Sequence, residues 1–209
     1  MKHKNFFYEY DLPLEILEQL QNKTHLGIDT EALGLNLKRD RLCLVQISDF
    51  NNVYMVHFPK PIYNKCPNLI KLLNNKKIEK IFHFARFDVG ILYAYLGIIC
   101  KNIVCTKIMS KISRTYTERH GLKELCSKLL HVELNKGNGC SYWGGTLDEA
   151  QIKYAGDDVI HLLDLKNKLM EMLKNENRWD LAVLSFGVIP MVVTCDVGGY
   201  DPMTIINHH

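Results

Sequence analysis

The sequence predicts an α/β fold: a mixed β-sheet in which a three-strand antiparallel meander is continued by parallel strands, flanked by helices. Two observations carry this. Three strand-like segments follow one another with only short polar connections, and after them helices and strands alternate before the chain turns wholly helical.

The elements follow in order. A short helix-like lead runs from about Pro13 to Asn22. The strand segments are THLGIDT, RLCLVQIS and VYMVHF, joined by NLKRD and DFNN, too short for anything but antiparallel neighbours. A polar helical stretch from Asn68 to Asn75 leads to the strand KIFHF, a helix from Ala85 to Leu96 and the strand NIVCTK. That is a β-α-β pattern, hence parallel strands. From about Met109 onward the patterns are helical, including GLKELCSKLLH and a long helix beginning near Leu147, where Thr146 and Glu149 form a T-x-x-E capping box.

At 209 residues the chain suits one large domain. With no repeat, linker or low-complexity tract, the expectation is a single domain over 1–209. Apolar residues make up 47% and charged residues 23%, the balance of a soluble globular protein. The seven cysteines are scattered and never spaced C-x-x-C, which argues against a disulfide framework or a zinc site and for a reduced cytoplasm. The N-terminus lacks an apolar h-region, and the longest apolar run, VLSFGVIPMVV, is too short to span a bilayer and contains Pro190. The expectation is a protein neither exported nor membrane-embedded. No glycine-rich nucleotide loop is present either.

Chemistry enters with LGIDTEALGL. In a strand, residues i and i+2 share a face, so Asp29 and Glu31 project together while Leu26 and Ile28 point away. Two like charges side by side repel unless a cation lies between them, and carboxylate oxygens are the ligands Mg²⁺ or Mn²⁺ prefer. Alone, D-x-E better suits a strand running out into solvent, since so short a motif recurs by chance. A third acid, Asp88, falls in the first turn of the helix after KIFHF, where it could also serve the helix dipole. A fourth, Asp158, follows Tyr154 by one helical turn, and could be an ordinary solvated acid. Asp157 and Asp158 are adjacent. The apolar stripe Ile152, Ala155, Val159 and Leu162 puts Asp157 nearly opposite the core and Asp158 at the stripe's edge, one turn from Tyr154.

Together, DTEALGLNLKRDRLCLVQISD, KIFHFARFDVGILYAYLG, CTKIMSKISRTYTERHGLKELC and YAGDDVIHLLDLKNKL resemble, in order, the motifs of the ribonuclease D family in its short bacterial form. That family belongs to the DEDDy 3′–5′ exonucleases of the RNase H-like superfamily. The resemblance implies an RNase H-like fold, a 3′–5′ exonuclease domain over 1–209, and two divalent cations, Mg²⁺ or Mn²⁺. Asp29 would bridge the cations, Glu31 and Asp158 would complete one site, Asp88 would hold the other directly or through water, and Tyr154 would orient the attacking water. Transition-state charge on a phosphodiester is what such cations stabilise.

Net charge is +3, and setting the four acids aside leaves 19 acidic against 26 basic residues, a modestly cationic surface suited to a phosphate backbone. Within RTYTERHGLK, the cations Arg114, Arg119, His120 and Lys123 flank Tyr116, a pattern that can neutralise phosphates and stack a base, or simply be a solvated loop. Lys107 and Lys111 join the same patch. His83, His120 and His161 near the motifs read as structural or surface residues.

Ribonuclease D carries a Lys and a Ser-Asp-Trp run before its last motif. Here KGNGCSYWGG keeps Lys136, Ser141 and Trp143, but Tyr142 replaces the acid and Gly137 and Gly139 loosen the loop. With about 35 residues beyond the last helical pattern, the expectation is a form without the HRDC domains of longer relatives, and His208 and His209 are too few for a ligand set.

The implied activity is trimming of single-stranded RNA 3′ ends to nucleoside 5′-monophosphates. The alternatives are a DNA-directed exonuclease or a catalytically silent nucleic-acid-binding module. Against the silent module stands the complete acid set, which weakens anion binding unless metal is held.

Overall fold

The computed structural model describes residues 3–134 and 141–207. Six strands form one sheet in the order β1-β4-β3-β2-β5-β6. Strands β2 (His25–Ala32), β3 (Leu42–Ser48) and β4 (Asn52–His57) are the expected meander. Strands β5 (Glu79–Phe82) and β6 (Ile103–Cys105) extend it in parallel on the far side of β2.

One strand was not expected. β1 (Lys4–Glu9) pairs in parallel with β4 and forms the sheet's outer edge. Most of its residues are exposed, so it lacks the alternation of a half-buried strand. β3, by contrast, is buried at every position, as a central strand covered on both faces must be.

Helices pack around the sheet. α1 (Leu14–Gln21) and α2 (Pro67–Leu73) lie against each other. α3 (Ala85–Leu96), α4 (Thr106–Ser113), α7 (Leu162–Asn175) and α8 (Trp179–Gly198) form one group, and α6 (Glu149–Ile160) crosses β2, β3 and β4. The GLKELCSKLLH segment begins as α5 (Leu122–Leu125) and then widens into a π-helical turn over Cys126–Leu130. α9 (Pro202–Ile206) closes the described chain.

Two local expectations are corrected. The capping box of α6 is Asp148 with Gln151, each side chain bonded to the other's backbone N–H, and not Thr146 with Glu149. Asp148 competes as an N-cap two residues on and wins by reaching N3. Second, the apolar run holding Pro190 sits inside the 20-residue α8, which by length and composition alone could cross a membrane. The helix nevertheless buries Ala182, Phe186, Ile189 and Val193 on the protein, while Leu181, Val183, Leu184 and Val188 are exposed.

Candidate active site

β2 sets the site. Gly27, Asp29 and Glu31 alternate onto one face, and that is the face α6 and α7 cover. A Cβ at Gly27 would come 2.7 Å from the Val159 carbonyl oxygen and 3.2 Å from the Phe50 ring. Only glycine lets the helix end approach the strand so closely. That approach brings α6's acid to the strand's pair. Carboxylate oxygens of Asp29, Glu31 and Asp158 lie within 4.8 Å of one another. Asp158, and not Asp157, joins the strand acids.

Asp88 arrives on α3. Phe84, at φ +74°, turns the chain left-handed between β5 and α3, so the acid falls in the helix's first turn. It is buried, and Thr30 donates from its hydroxyl to Asp88 Oδ1 at 2.7 Å. With one oxygen so engaged, Asp88 stands outside the close trio, yet its charge reaches Asp29 and Glu31.

The electrostatics follow from crowding in a desolvated place. Burial first, then the neighbouring carboxylates, push Asp29 well above the carboxylate range and Glu31 upward with it. Burial also raises Asp88, opposed by the Thr30 hydrogen bond, and Asp158, opposed by the bond from Tyr154. Four such groups ionise together only with compensating positive charge. The donor set is all hard oxygen, which fits Mg²⁺ or Mn²⁺. Tyr154 is itself raised, by burial and then by Asp158. Its hydroxyl therefore stays protonated beside the Asp158 carboxylate.

One site residue carried no sequence signal. Gln46 on β3 is the cross-strand partner of Asp29, is 0% exposed, and points its Nε2 at Asp29 Oδ2 at 3.4 Å.

The expected nucleic-acid contacts divide. Tyr116, Arg119 and Lys111 are exposed and Lys123 is half-buried; Lys107 lies 4.2 Å over the Phe84 ring. Arg114, His120 and Trp143 are buried. Arg114 donates to the Arg119 carbonyl at 2.9 Å and supports its loop, and His120 Nδ1 meets Ser110 Oγ at 2.9 Å. The Trp143 ring packs 6.2 Å from Tyr154, its carbonyl held by His57 at 3.1 Å, while Arg41 bonds the next carbonyl, Gly144, at 3.0 Å. These side chains shape the surroundings of the site, since a buried group cannot stack on a base arriving from solvent. Lys136, Gly137 and Gly139 lie outside the described residues, as do His208 and His209. His83 is structural: its Nδ1 meets Thr106 Oγ1 at 2.9 Å, and burial pushes it down to about 3. His161 sits at the junction of α6 and α7.

A mixed sheet with an acid cluster on its central strand, completed by acids from two flanking helices, defines the class of RNase H-like nucleases. Comparison with known proteins narrows it. Residues 5–174 match the family described as 3′–5′ exonuclease. The chain is 32% identical over 176 residues to ribonuclease D of Gluconacetobacter diazotrophicus and 36% identical over 158 residues to DNA polymerase I of Aquifex aeolicus. These alignments cover 81% and 75% of this chain but 44% and 25% of those proteins, so it spans less than half the length of either. Brucella melitensis NrnC bound to pGG is 40% identical, with a TM-score of 0.92 and 100% of each chain covered. The same protein with bound Mg²⁺ has a TM-score of 0.87 at 39% identity, covering 99% of this chain and 100% of that one. The chain belongs to the 3′–5′ exonuclease family.

Proposed function

We propose that residues 1–209 form a cytoplasmic 3′–5′ exoribonuclease domain that removes nucleoside 5′-monophosphates from single-stranded RNA 3′ ends, using two divalent cations, Mg²⁺ or Mn²⁺. The convergence of Asp29, Glu31 and Asp158 within 4.8 Å, with Tyr154 one helical turn before Asp158 on α6, carries the reading. The Mg²⁺-bound and pGG-bound forms of NrnC and the similarity to ribonuclease D support the metal and the RNA.

The residues divide the work. Bound cations would supply Lewis acidity at the scissile phosphate and neutralise its developing charge. Asp29, Glu31 and Asp158 hold them, and Asp88, fixed by Thr30, completes the set. Tyr154, protonated and beside Asp158, aligns the water whose oxygen bonds to phosphorus and gives a proton up to solvent, as the P–O3′ bond breaks and the departing 3′ oxygen takes a proton from solvent. Tyr116, Arg119 and Lys123 offer a stacking ring and cations to the strand leading into the site.

Digestion of 5′-labelled RNA tests this. A shortening ladder that stops with EDTA and resumes with Mg²⁺ is expected, and a 3′-phosphorylated or circular RNA should resist. Full turnover in EDTA overturns the metal reading, and cleavage of the circle overturns the exonuclease reading. The similarity to DNA polymerase I favours DNA as the second reading. Matched RNA and DNA oligomers, with pGG as a minimal ligand, separate the two through the 2′-hydroxyl.

A further inference from the structure

Gln46 is the polar interruption in a strand that otherwise reads LCLV and IS, buried along its whole length. Its neighbours across the sheet are Asp29 on β2 and Met55 on β4. A side chain in such a place has few partners. Its Nε2 points at Asp29 Oδ2 at 3.4 Å, long for a hydrogen bond. Its Oε1 is buried and has no hydrogen-bond partner among the described residues. Once Asp29 is ionised, as cation binding requires, the reverse amide orientation would set Oε1 against the carboxylate, acceptor to acceptor. A buried orphan acceptor costs free energy, and an apolar side chain of the same size would avoid that cost.

We infer that Gln46 is a positioning residue: its amide N–H holds one oxygen of Asp29 so that the other is presented to the cation shared with Glu31 and Asp158, and its amide oxygen accepts a hydrogen bond from water that enters with that cation. Mg²⁺ and similar ions keep several waters when bound by few carboxylates, so the missing donor arrives with the ligand. Outer groups that orient a ligand in this way typically change metal affinity by about 10–100-fold. The inference rests on the divalent-cation reading of the site.

The test is calorimetric titration of the chain with Mn²⁺, together with thermal unfolding in EDTA, for the wild type, Gln46→Leu and Gln46→Met. Both substitutions keep the bulk and remove the amide. The expected result is Mn²⁺ affinity lowered by about 10–100-fold, with an unfolding midpoint in EDTA no lower than that of the wild type. A core-packing role would reverse this pattern. If the wild type binds Mn²⁺ and both variants bind it within about twofold of wild type, the positioning role is overturned while the cation reading stands. If both variants melt well below wild type in EDTA or fail to fold, Gln46 belongs to the core and the inference fails. If the wild type binds no Mn²⁺, the cation reading fails, and this inference with it.

Discussion

Gly27→Ala should damage the site without altering any polar side chain. The added Cβ would lie 2.7 Å from the Val159 carbonyl oxygen, where ordinary contact begins near 3.4 Å, and 3.2 Å from the Phe50 ring. The nearest obstacle is helix backbone, which cannot rotate aside, so the end of α6 must retreat by about 0.7 Å. Val159 directly follows Asp158, and the retreat carries that carboxylate with it. Metal–ligand distances tolerate about 0.2 Å, and misplacement of about 1 Å in an active site costs about 10²-fold. The expected outcome is Mn²⁺ affinity reduced at least tenfold, about 1.4 kcal/mol, with an overpacking cost of about 1–3 kcal/mol in stability. Titration calorimetry measures the first and denaturant unfolding in EDTA the second. A folded variant that loses stability but binds Mn²⁺ as tightly as wild type would refute the reasoning, because the close approach would then support packing alone.

The other predictions are more local. Asp158→Asn should abolish hydrolysis, whereas Asp157→Asn should change it by less than about tenfold, or 1.4 kcal/mol in barrier, in single-turnover cleavage of a short 5′-labelled RNA; the reverse result breaks the helix phase. Tyr154→Phe keeps the ring on Trp143 but deletes the hydroxyl, and the rate in the same assay should fall by about 10²–10⁴; an unchanged rate removes Tyr154 from the chemistry. Burial holds Asp158 up at about 6 and Asp88 at about 7, and burial followed by the charges of those two carboxylates holds Glu31 at about 9, against about 4 in an unfolded chain. Between those limits the metal-free native state binds more protons than the unfolded state, so its stability falls as pH rises. Calorimetric melting in EDTA should show the midpoint dropping from pH 5 to 9, while the increment added by Mg²⁺ grows, since cation binding needs the ionised acids. A midpoint in EDTA that climbs with pH would contradict this.

How much of this the sequence disclosed depended on the range of the forces involved. The meander and the acids Asp29 and Glu31 are legible because strand alternation is local. Asp158 is legible because one helical turn links it to Tyr154 and the apolar stripe fixes its phase. Gln46 was invisible: its meaning lies across the strand ladder, and one glutamine in an apolar run has no period. Edge strand β1 was missed because a solvated strand with one neighbour has no buried face to reveal it. Arg114, His120 and Trp143 carry the residue types of a binding surface, but which of them are covered is decided by packing between α4, the following loop and the sheet. The cap of α6 turned on two neighbouring candidates that composition could not rank.

The close trio of acids takes two members from β2 and the third from a helix more than a hundred residues further along the chain. Ribosomes add about 5–20 residues per second, so a growing chain carries Asp29 and Glu31 for several seconds, and often longer, before Asp158 is made. Throughout that interval a cation would find two carboxylates at the end of an incomplete sheet. A chain built this way emerges beside messenger RNA with its acid cluster incomplete, and the trio closes only when α6 seats against Gly27.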